Sequence, residues 1–325
     1  MPHIAVLHDP HALPEALARP VVAIGNFDGL HRGHRAVIDK TLALAHRLGR
    51  PSAVLTFEPH PRDFFRPGSP VFRLTPLIEK TIIAERLGLD ALIALSFDAG
   101  MAGMEASAFI EEWLVRRLRI AAVIVGTDFR FGAKRTGTSQ MLASEGARLS
   151  FEVEILPEVA MEGGRVSSSA VRQALEAGDI AQASEFLGHR WFVAGEVLHG
   201  EKRGRELGFP TANLRLDAAC RLRHGIYAVR VLIEGRVHEA VASFGRRPTF
   251  DNGAPLLEVF VFDFEGNLYG RSLTVEFVAW LRGEEKFASV EALVAQMHED
   301  VLEARRCLRE ASPGADASIF EAQIA

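Results

Sequence analysis

Along the first half of the chain, apolar residues gather in short runs set apart by stretches where they recur every three or four positions. The runs 21–24 (VVAI), 53–57 (AVLTF), 91–95 (ALIAL), 121–125 (AAVIV) and 151–156 (FEVEIL) have the length and β-branched content of buried strands. Between the first two, Val37, Thr41, Leu44 and Leu48 share one helical face, and Gly49 stands where a helix of that phase would end. Helical spacing returns over 106–118. Short strands alternating with helices predict an α/β unit, a mainly parallel sheet covered by helices. Two short helices follow: 170–177, closed by Gly178, and a second opened by Asp179, with Gln182 at capping-box spacing, and closed near Gly188. Their place in the chain predicts that they edge the first unit.

Beyond Trp191 the hydrophobic period changes to two. The runs 192–197, 225–233, 237–243, 257–264 and 272–277 are separated by Gly, Pro and Asn, the pattern of a small antiparallel β-barrel or sandwich. Val290, Leu293, Val294, Met297 and Val301 then form one apolar stripe at helical spacing behind Ser289, a good N-cap, so a C-terminal helix should pack on that sheet. From Ala311 onward Ala, Ser, Pro and Gly dominate without periodicity, and this tail is expected to be loosely ordered. The predicted boundaries are 1–186 and 187–310 for the two domains and 311–325 for the tail.

Composition narrows the chemistry. At 325 residues, 48% hydrophobic and 24% charged, the chain suffices for two compact domains. Its formal charge of −5 offers no basic excess for neutralising a nucleic-acid backbone, so any phosphate recognition has to be local. Cys220 and Cys307 are far apart and lack metal-ligand spacing, which fits a reduced, cytoplasmic chain. No apolar run approaches the ~20 residues that cross a bilayer, and no membrane or nucleic-acid partner is expected. Weak self-association is left open.

The first candidate site lies where strand 21–24 meets Gly25, Asn26, Phe27, Asp28, Gly29, Leu30, His31, Arg32, Gly33 and His34, just before helical periodicity begins. A glycine-rich strand-to-helix turn brings backbone N–H groups and the positive helix end to a phosphate, and two histidines flanking Gly33 add side-chain donors. A glycine turn alone is only a turn; the paired histidines make it a candidate. Here the chain resembles the HxGH nucleotidyltransferase superfamily and, within it, the FMN adenylyltransferase module of bacterial bifunctional riboflavin kinase/FAD synthetases. Thr56, Phe57, Glu58, Pro59, His60 and Pro61 resemble that module's second block. Residues 125–132 (VGTDFRFG), continuing to Arg135 and Gly137, resemble the third, and 167–172 (SSSAVR) the fourth.

The resemblance implies a Rossmann-like parallel sheet in which Gly25, Asn26, Phe27, Asp28, His31, Gly33, His34, Ser168, Ser169 and Arg172 contact ATP. It also implies that Phe57, Pro59, His60, Phe64, Asp128 and Phe129 meet the flavin. Physical chemistry reads the same residues two ways. Ser167, Ser168 and Ser169 suit either an anion or ordinary N-capping. Phe57, Phe64 and Phe65 suit either a flavin ring or a core, and His60 between prolines also suits a rigid turn.

The second candidate site begins with Gly195, Gly200, Gly204 and Gly208 around Arg205, followed by Pro210, Thr211 and Asn213. Such glycine density permits close backbone approach to a nucleotide. Thr211 and Asn213, at alternating positions, offer two side-chain oxygens to a hard cation such as Mg²⁺. Phe244, Gly245, Arg247, Pro248, Thr249 and Phe250, then Glu258, residues 263–270, Leu281, Arg282, Glu285, Lys286 and Phe287 complete a resemblance to riboflavin kinase domains over roughly 191–305. It implies a small barrel with Glu258 as catalytic base and Thr211 and Asn213 holding Mg²⁺ and phosphate. It further implies ATP against Gly200, Gly204, Gly208 and Pro210, and flavin against Arg282, Glu285 and Phe287. Ser243 and Val259 stand where the family commonly has Asn and His. Riboflavin, FMN, FAD and ATP/ADP are the implied ligands. An adenylyltransferase of the same superfamily acting on another phosphate, with an appended binding barrel, competes with this reading, and Thr211, Asn213 and Glu258 argue against it. A flavin-binding regulator or RNA-binding module that lost catalysis also competes, and His31, His34, Thr211, Asn213 and Glu258 argue against that one.

Overall fold

The computed structural model describes residues 4–157, 160–161, 164–199, 204, 207–246, 255–311 and 318–320. They divide into two compact units, Met1–Val71 with Thr75–Val166, and Phe72–Leu74 with Ser167–Ala325.

The first unit carries the strands β1 (Ala5–His8), β2 (Val21–Ile24), β3 (Ser52–Glu58), β4 (Ala91–Ser96) and β5 (Ala122–Gly126). A small hairpin of β6 (Arg130–Phe131) and β7 (Gly137–Thr138) precedes β8 (Glu152–Leu156). The main sheet is parallel throughout in the order β1-β4-β3-β2-β5-β8. Every residue of β2 is buried, as a parallel strand covered on both faces requires. β2 pairs with β3 on one side and β5 on the other, so the chain reverses direction across the sheet there. The crevice beyond the carboxyl end of such a strand is where open α/β sheets bind ligands.

Helix α1 (Arg32–Leu48) follows β2 and ends on Gly49, whose φ of +59° is the left-handed conformation glycine adopts at least cost. It buries Ile38, Thr41, Leu44 and Ala45. The face is thus displaced from the expected one, and Leu48 is exposed. α2 (Pro61–Phe65), α3 (Leu77–Arg86) and α4 (Ala99–Gly103) come next. The helix anticipated over 106–118 begins as α5 (Ala106–Phe109) and continues as a wide π-type turn over Ile110–Arg117. α6 (Ser139–Leu149) completes the layer, and the short strands β9 (Ala160–Met161) and β10 (Gly164–Arg165) pair after β8.

In the second unit, α7 (Ser168–Ala177) and α8 (Ile180–Leu187) precede β11 (Phe192–Glu196), β12 (Ala212–Arg215), β13 (Gly225–Ile233), β14 (Arg236–Arg246), β15 (Pro255–Val261) and β16 (Ser272–Arg282). All pairings are antiparallel, in the order β11-β16-β13-β14-β15-β12, and a Leu198–Asn213 bridge draws the two edge strands together into a near-barrel. Alternation sends Leu214, Tyr227, Val229, Phe244, Leu257, Val275 and Phe277 inward. The outer face, with Ala228, Val241 and Phe262, is covered by Ala304 and Leu308 of α9 (Val290–Glu310), whose N-cap is Ser289 as anticipated.

Two expectations need correction. Val171, Ala174 and Leu175 of α7 and Ile180, Ala183 and Leu187 of α8 bury their side chains in the barrel's own cluster with Trp191, so both helices belong to the second unit rather than the first. An amphipathic stripe has the same appearance whichever sheet it covers. Part of the tail is also firmly placed. The fully buried Glu276 carboxylate accepts from Ser318 Oγ and the Ile319 N–H, lies beside Arg190 at 3.2 Å, and Phe320 is 1% exposed.

Candidate active sites

Residues 25–34 leave the end of β2 as a tight turn in which Phe27, Gly29 and Leu30 all have positive φ. Two side chains hold its carbonyls inward. Thr75 Oγ1 donates to the Phe27 carbonyl at 3.2 Å and accepts from the Gly29 N–H at 2.8 Å, while the Thr75 N–H donates to Asp28 Oδ1. Lys80, 1% exposed, donates from Nζ to the Asn26 carbonyl at 2.8 Å and to Thr56 Oγ1 at 2.9 Å. Gly33 makes room for an imidazole: a Cβ there would come 3.1 Å from His31 Cε1.

His31 caps α1, its Nδ1 accepting from the His34 N–H at 3.4 Å. The rings of His31 and His34 stack with centroids 3.7 Å apart and planes at 15°. Since Nδ1 of His31 accepts, its proton sits on Nε2, which makes that nitrogen a donor. Burial pulls the His31 imidazole down to about 4 against the opposing pull of Asp28. Burial, then the neighbouring His31 and Lys80, hold His34 well below the ordinary histidine value. Both rings are therefore neutral near neutral pH. His34 Nδ1 is buried and has no hydrogen-bond partner among the described residues.

A stability consequence follows from His31. Unfolded, it takes up its proton near 6.5; folded, only near 4. The unfolded chain binds the extra proton between those values, so stability is full above about pH 6.5 and declines toward pH 4, by about 3 kcal/mol for this group alone. Denaturant unfolding of wild type and of His31→Gln from neutral to acid pH measures it. The variant should lose less stability on acidification, and equal slopes would refute the linkage.

Around this turn, Phe57 joins the sheet core and meets Phe97 and Phe109 at centroid distances of 5.9 and 6.3 Å. Phe64, more exposed, contacts Phe97 and Phe65. Pro59 follows a cis peptide bond, and His60 caps α2 by accepting from the Arg62 N–H, the rigid-turn role its flanking prolines suggested. Asp128 is exposed, and Phe129 stacks on Phe131 at 5.4 Å. In the second unit, Ser167 is the N-cap of α7, leaving Ser168 and Ser169 in its first turn. Arg172 lies just past that turn and donates from Nε to the Phe72 carbonyl at 2.7 Å.

The barrel unit holds a cavity of about 330 Å³ between the sheet's outer face and α9. Glu258 of β15 lies directly across from Asn213 of β12 and from Ser243 of β14; Ser243 pairs with Ile226, and Ile226 with Arg282. Directly paired residues of antiparallel strands share a face, so one row crosses five strands from Asn213 to Arg282. Thr211, Ser243, Glu258, Arg282, Glu285 and Phe287 all line the cavity. Arg282 is fixed by Asp300 through Nε–Oδ1 and Nη2–Oδ2 contacts of 2.7 and 2.6 Å and lies 5.9 Å from the Phe287 ring. A second, smaller cavity of about 60 Å³ is bounded by Val197, Pro210, Phe264, Asn267 and Tyr269, and Thr211 lines both. Gly204 approaches the backbone so closely that a Cβ would collide with the Phe209 carbonyl oxygen, and Gly208 has φ +85°. Gly200, Arg205, Arg247, Pro248, Thr249 and Phe250 lie outside the described residues.

Comparison with known proteins meets this geometry. The FAD synthetase family model matches residues 13–170 and the riboflavin kinase family model residues 187–308. The bifunctional riboflavin kinase/FMN adenylyltransferase of Haemophilus influenzae is 39% identical over 90% of this chain and 95% of its own length. The chain belongs to the bifunctional riboflavin kinase/FMN adenylyltransferase family. Its Pseudomonas fluorescens relative is 42% identical over 88% of this chain and 92% of its own, and that of Bacillus subtilis 35% over 94% and 98%. A solved structure described as a macrolide-efflux protein from Streptococcus pneumoniae is 30% identical, with a TM-score of 0.79, over 93% of this chain and 99% of that one. Among the described residues no helix is long and apolar enough to cross a membrane.

Sequence reasoning missed four contributors. Thr75 and Lys80 come from outside every recognised block, and a lone Thr or Lys carries no pattern. Asp300 gave no signal either, its partner Arg282 lying on another element. Met297 was read as part of the stripe packing α9 on the barrel, yet it also lines the cavity.

Proposed function

We infer that the chain makes flavin cofactors in two steps, phosphorylating riboflavin to FMN in the barrel unit and adenylylating FMN to FAD, with release of pyrophosphate, in the α/β unit. The observation that carries most weight is Thr211, which lines two adjoining cavities, the larger holding Glu258. A phosphoryl donor in the smaller cavity and an alcohol in the larger would meet at that residue. Glu258 would accept the proton of the ribityl 5′-hydroxyl as the γ-phosphoryl group transfers. Arg282, Glu285 and Phe287 would hold the flavin and Pro210 the nucleotide, with Gly204, which lines the larger cavity, next to Thr211 where the two meet.

The donor set beside Glu258 fits a hard cation: Thr211 and Asn213 present neutral oxygens, and Mg²⁺ typically needs only one or two protein ligands when phosphates supply the rest. Among the described residues no cluster of three acidic, His or Cys side chains forms a metal cage of its own. Bound there with the nucleotide, Mg²⁺ would neutralise charge on the transferring phosphate.

In the α/β unit the reacting groups belong to the substrates. The FMN phosphate attacks the α-phosphorus of ATP and pyrophosphate leaves. The protein's part is to hold them in line and meet the growing charge with donors: Nε2–H of His31, His34, and the N–H groups of the turn at the start of α1. Free thiols at Cys220 and Cys307 support residence in the cytoplasm. The test is incubation of the purified protein with riboflavin and Mg-ATP, then chromatographic separation of flavins. FMN should appear first and FAD later; absence of both overturns the reading.

A further inference from the structure

Lys80 is a nearly fully buried cation beside the HxGH turn, and its surroundings give it a task. Its ammonium donates to the Asn26 carbonyl at 2.8 Å and to Thr56 Oγ1 at 2.9 Å, and lies 3.6 Å from Glu58 Oε1. Thr56 Oγ1 also donates to the same Asn26 carbonyl, at 3.1 Å. Burying an ammonium is expensive unless it is paired and hydrogen-bonded, and here it donates to a carbonyl of the turn itself and to a hydroxyl bonded to that same carbonyl.

The trans peptide explains what that achieves. Its C=O and N–H point in opposite directions, so drawing the Asn26 oxygen toward Lys80 turns the Phe27 N–H the other way. Thr75 does the same to the next peptide by donating to the Phe27 carbonyl. Without these anchors either carbonyl could rotate outward and set its negative end against an incoming phosphate. Oriented successive N–H groups, by contrast, form an anion-binding concavity. Lys80 thereby also ties the block that holds Thr56 and Glu58 to the block that holds His31 and His34.

We propose that Lys80 is a positioning residue for FMN adenylylation, holding the Asn26 peptide so that the turn presents N–H groups to the triphosphate. The proposal rests on the adenylyltransferase reading, and the test separates the two. In the full-length protein, FAD formation from FMN and Mg-ATP is measured for wild type, Lys80→Met and Lys80→Arg, resolving kcat from KM for ATP and for FMN. Riboflavin phosphorylation is followed alongside. A wild type that makes no FAD would sink the reading itself.

If wild type is active, Lys80→Met should lower kcat/KM for ATP roughly 100-fold, the scale of a misplaced reacting group. The KM for FMN and the rate of FMN production should stay unchanged, and Lys80→Arg should restore part of the loss. A purely structural role would reduce the active fraction, lowering kcat with both KM values intact. That pattern, unimpaired FAD synthesis in Lys80→Met, no recovery in Lys80→Arg, or loss of near-ultraviolet circular dichroism in both variants would each overturn the proposal.

Discussion

Replacing His31 by alanine should cut FAD synthesis from FMN and ATP by about 10²- to 10³-fold, the effect of removing one preorganised donor from a developing charge, while riboflavin phosphorylation proceeds at the wild-type rate. The expectation rests on tautomer and placement together. Nδ1 of His31 accepts the His34 N–H, so Nε2 carries the proton. The ring is held at the start of α1, where the helix adds partial positive charge. Alanine also removes the N-cap, at a cost of about 0.5–2 kcal/mol. His31→Asn separates the two effects, because asparagine retains an acceptor for the cap and loses the imidazole. Near-wild-type thermal stability with strongly reduced FAD formation in His31→Asn is the expected result. An FMN-producing rate that fell in step with FAD formation would show that the two sites are not independent.

The parts of these sites that the sequence displayed are those built from neighbouring residues. Gly25, His31, Gly33 and His34 occupy one turn, and a strand-to-helix junction could be recognised from periodicity on either side of it. The same holds for Thr211 and Asn213. Glu258 was marked only by resemblance, since a single glutamate on an alternating strand has the pattern of a solvated face. Its setting depends on register: Asn213 and Ser243 reach it from strands 45 and 15 positions away along the chain. Pairing of that kind is fixed by cross-strand packing and leaves no local trace. Lys80 is hidden for a different reason. On a helix a lysine ordinarily faces water, and it is the inward Asn26 carbonyl, itself a product of the Phe27 backbone conformation, together with the buried Thr56 hydroxyl that receives this one. For α7 and α8 the helices and their caps were legible at Ser167, Asp179 and Gly188, but the surface they cover was not.

The cross-strand row makes Glu258→Gln the sharpest probe of the barrel. Glutamine keeps the shape of the side chain and its place between Asn213 and Ser243, so strand pairing and the cavity should persist. It cannot accept the proton of an alcohol. Riboflavin phosphorylation should therefore drop by about 10²- to 10⁴-fold, the usual contribution of a positioned general base, while FAD synthesis from supplied FMN is unaffected. Because the change lies in proton transfer, it should appear in kcat, with riboflavin affinity, read from fluorescence titration of the flavin, close to wild type. The opposite split, weakened flavin binding with kcat preserved, would reassign Glu258 from proton acceptor to a wall of the flavin cavity. Thr211 would then remain as the residue common to both cavities, and the alcohol would have to lose its proton without help from this carboxylate.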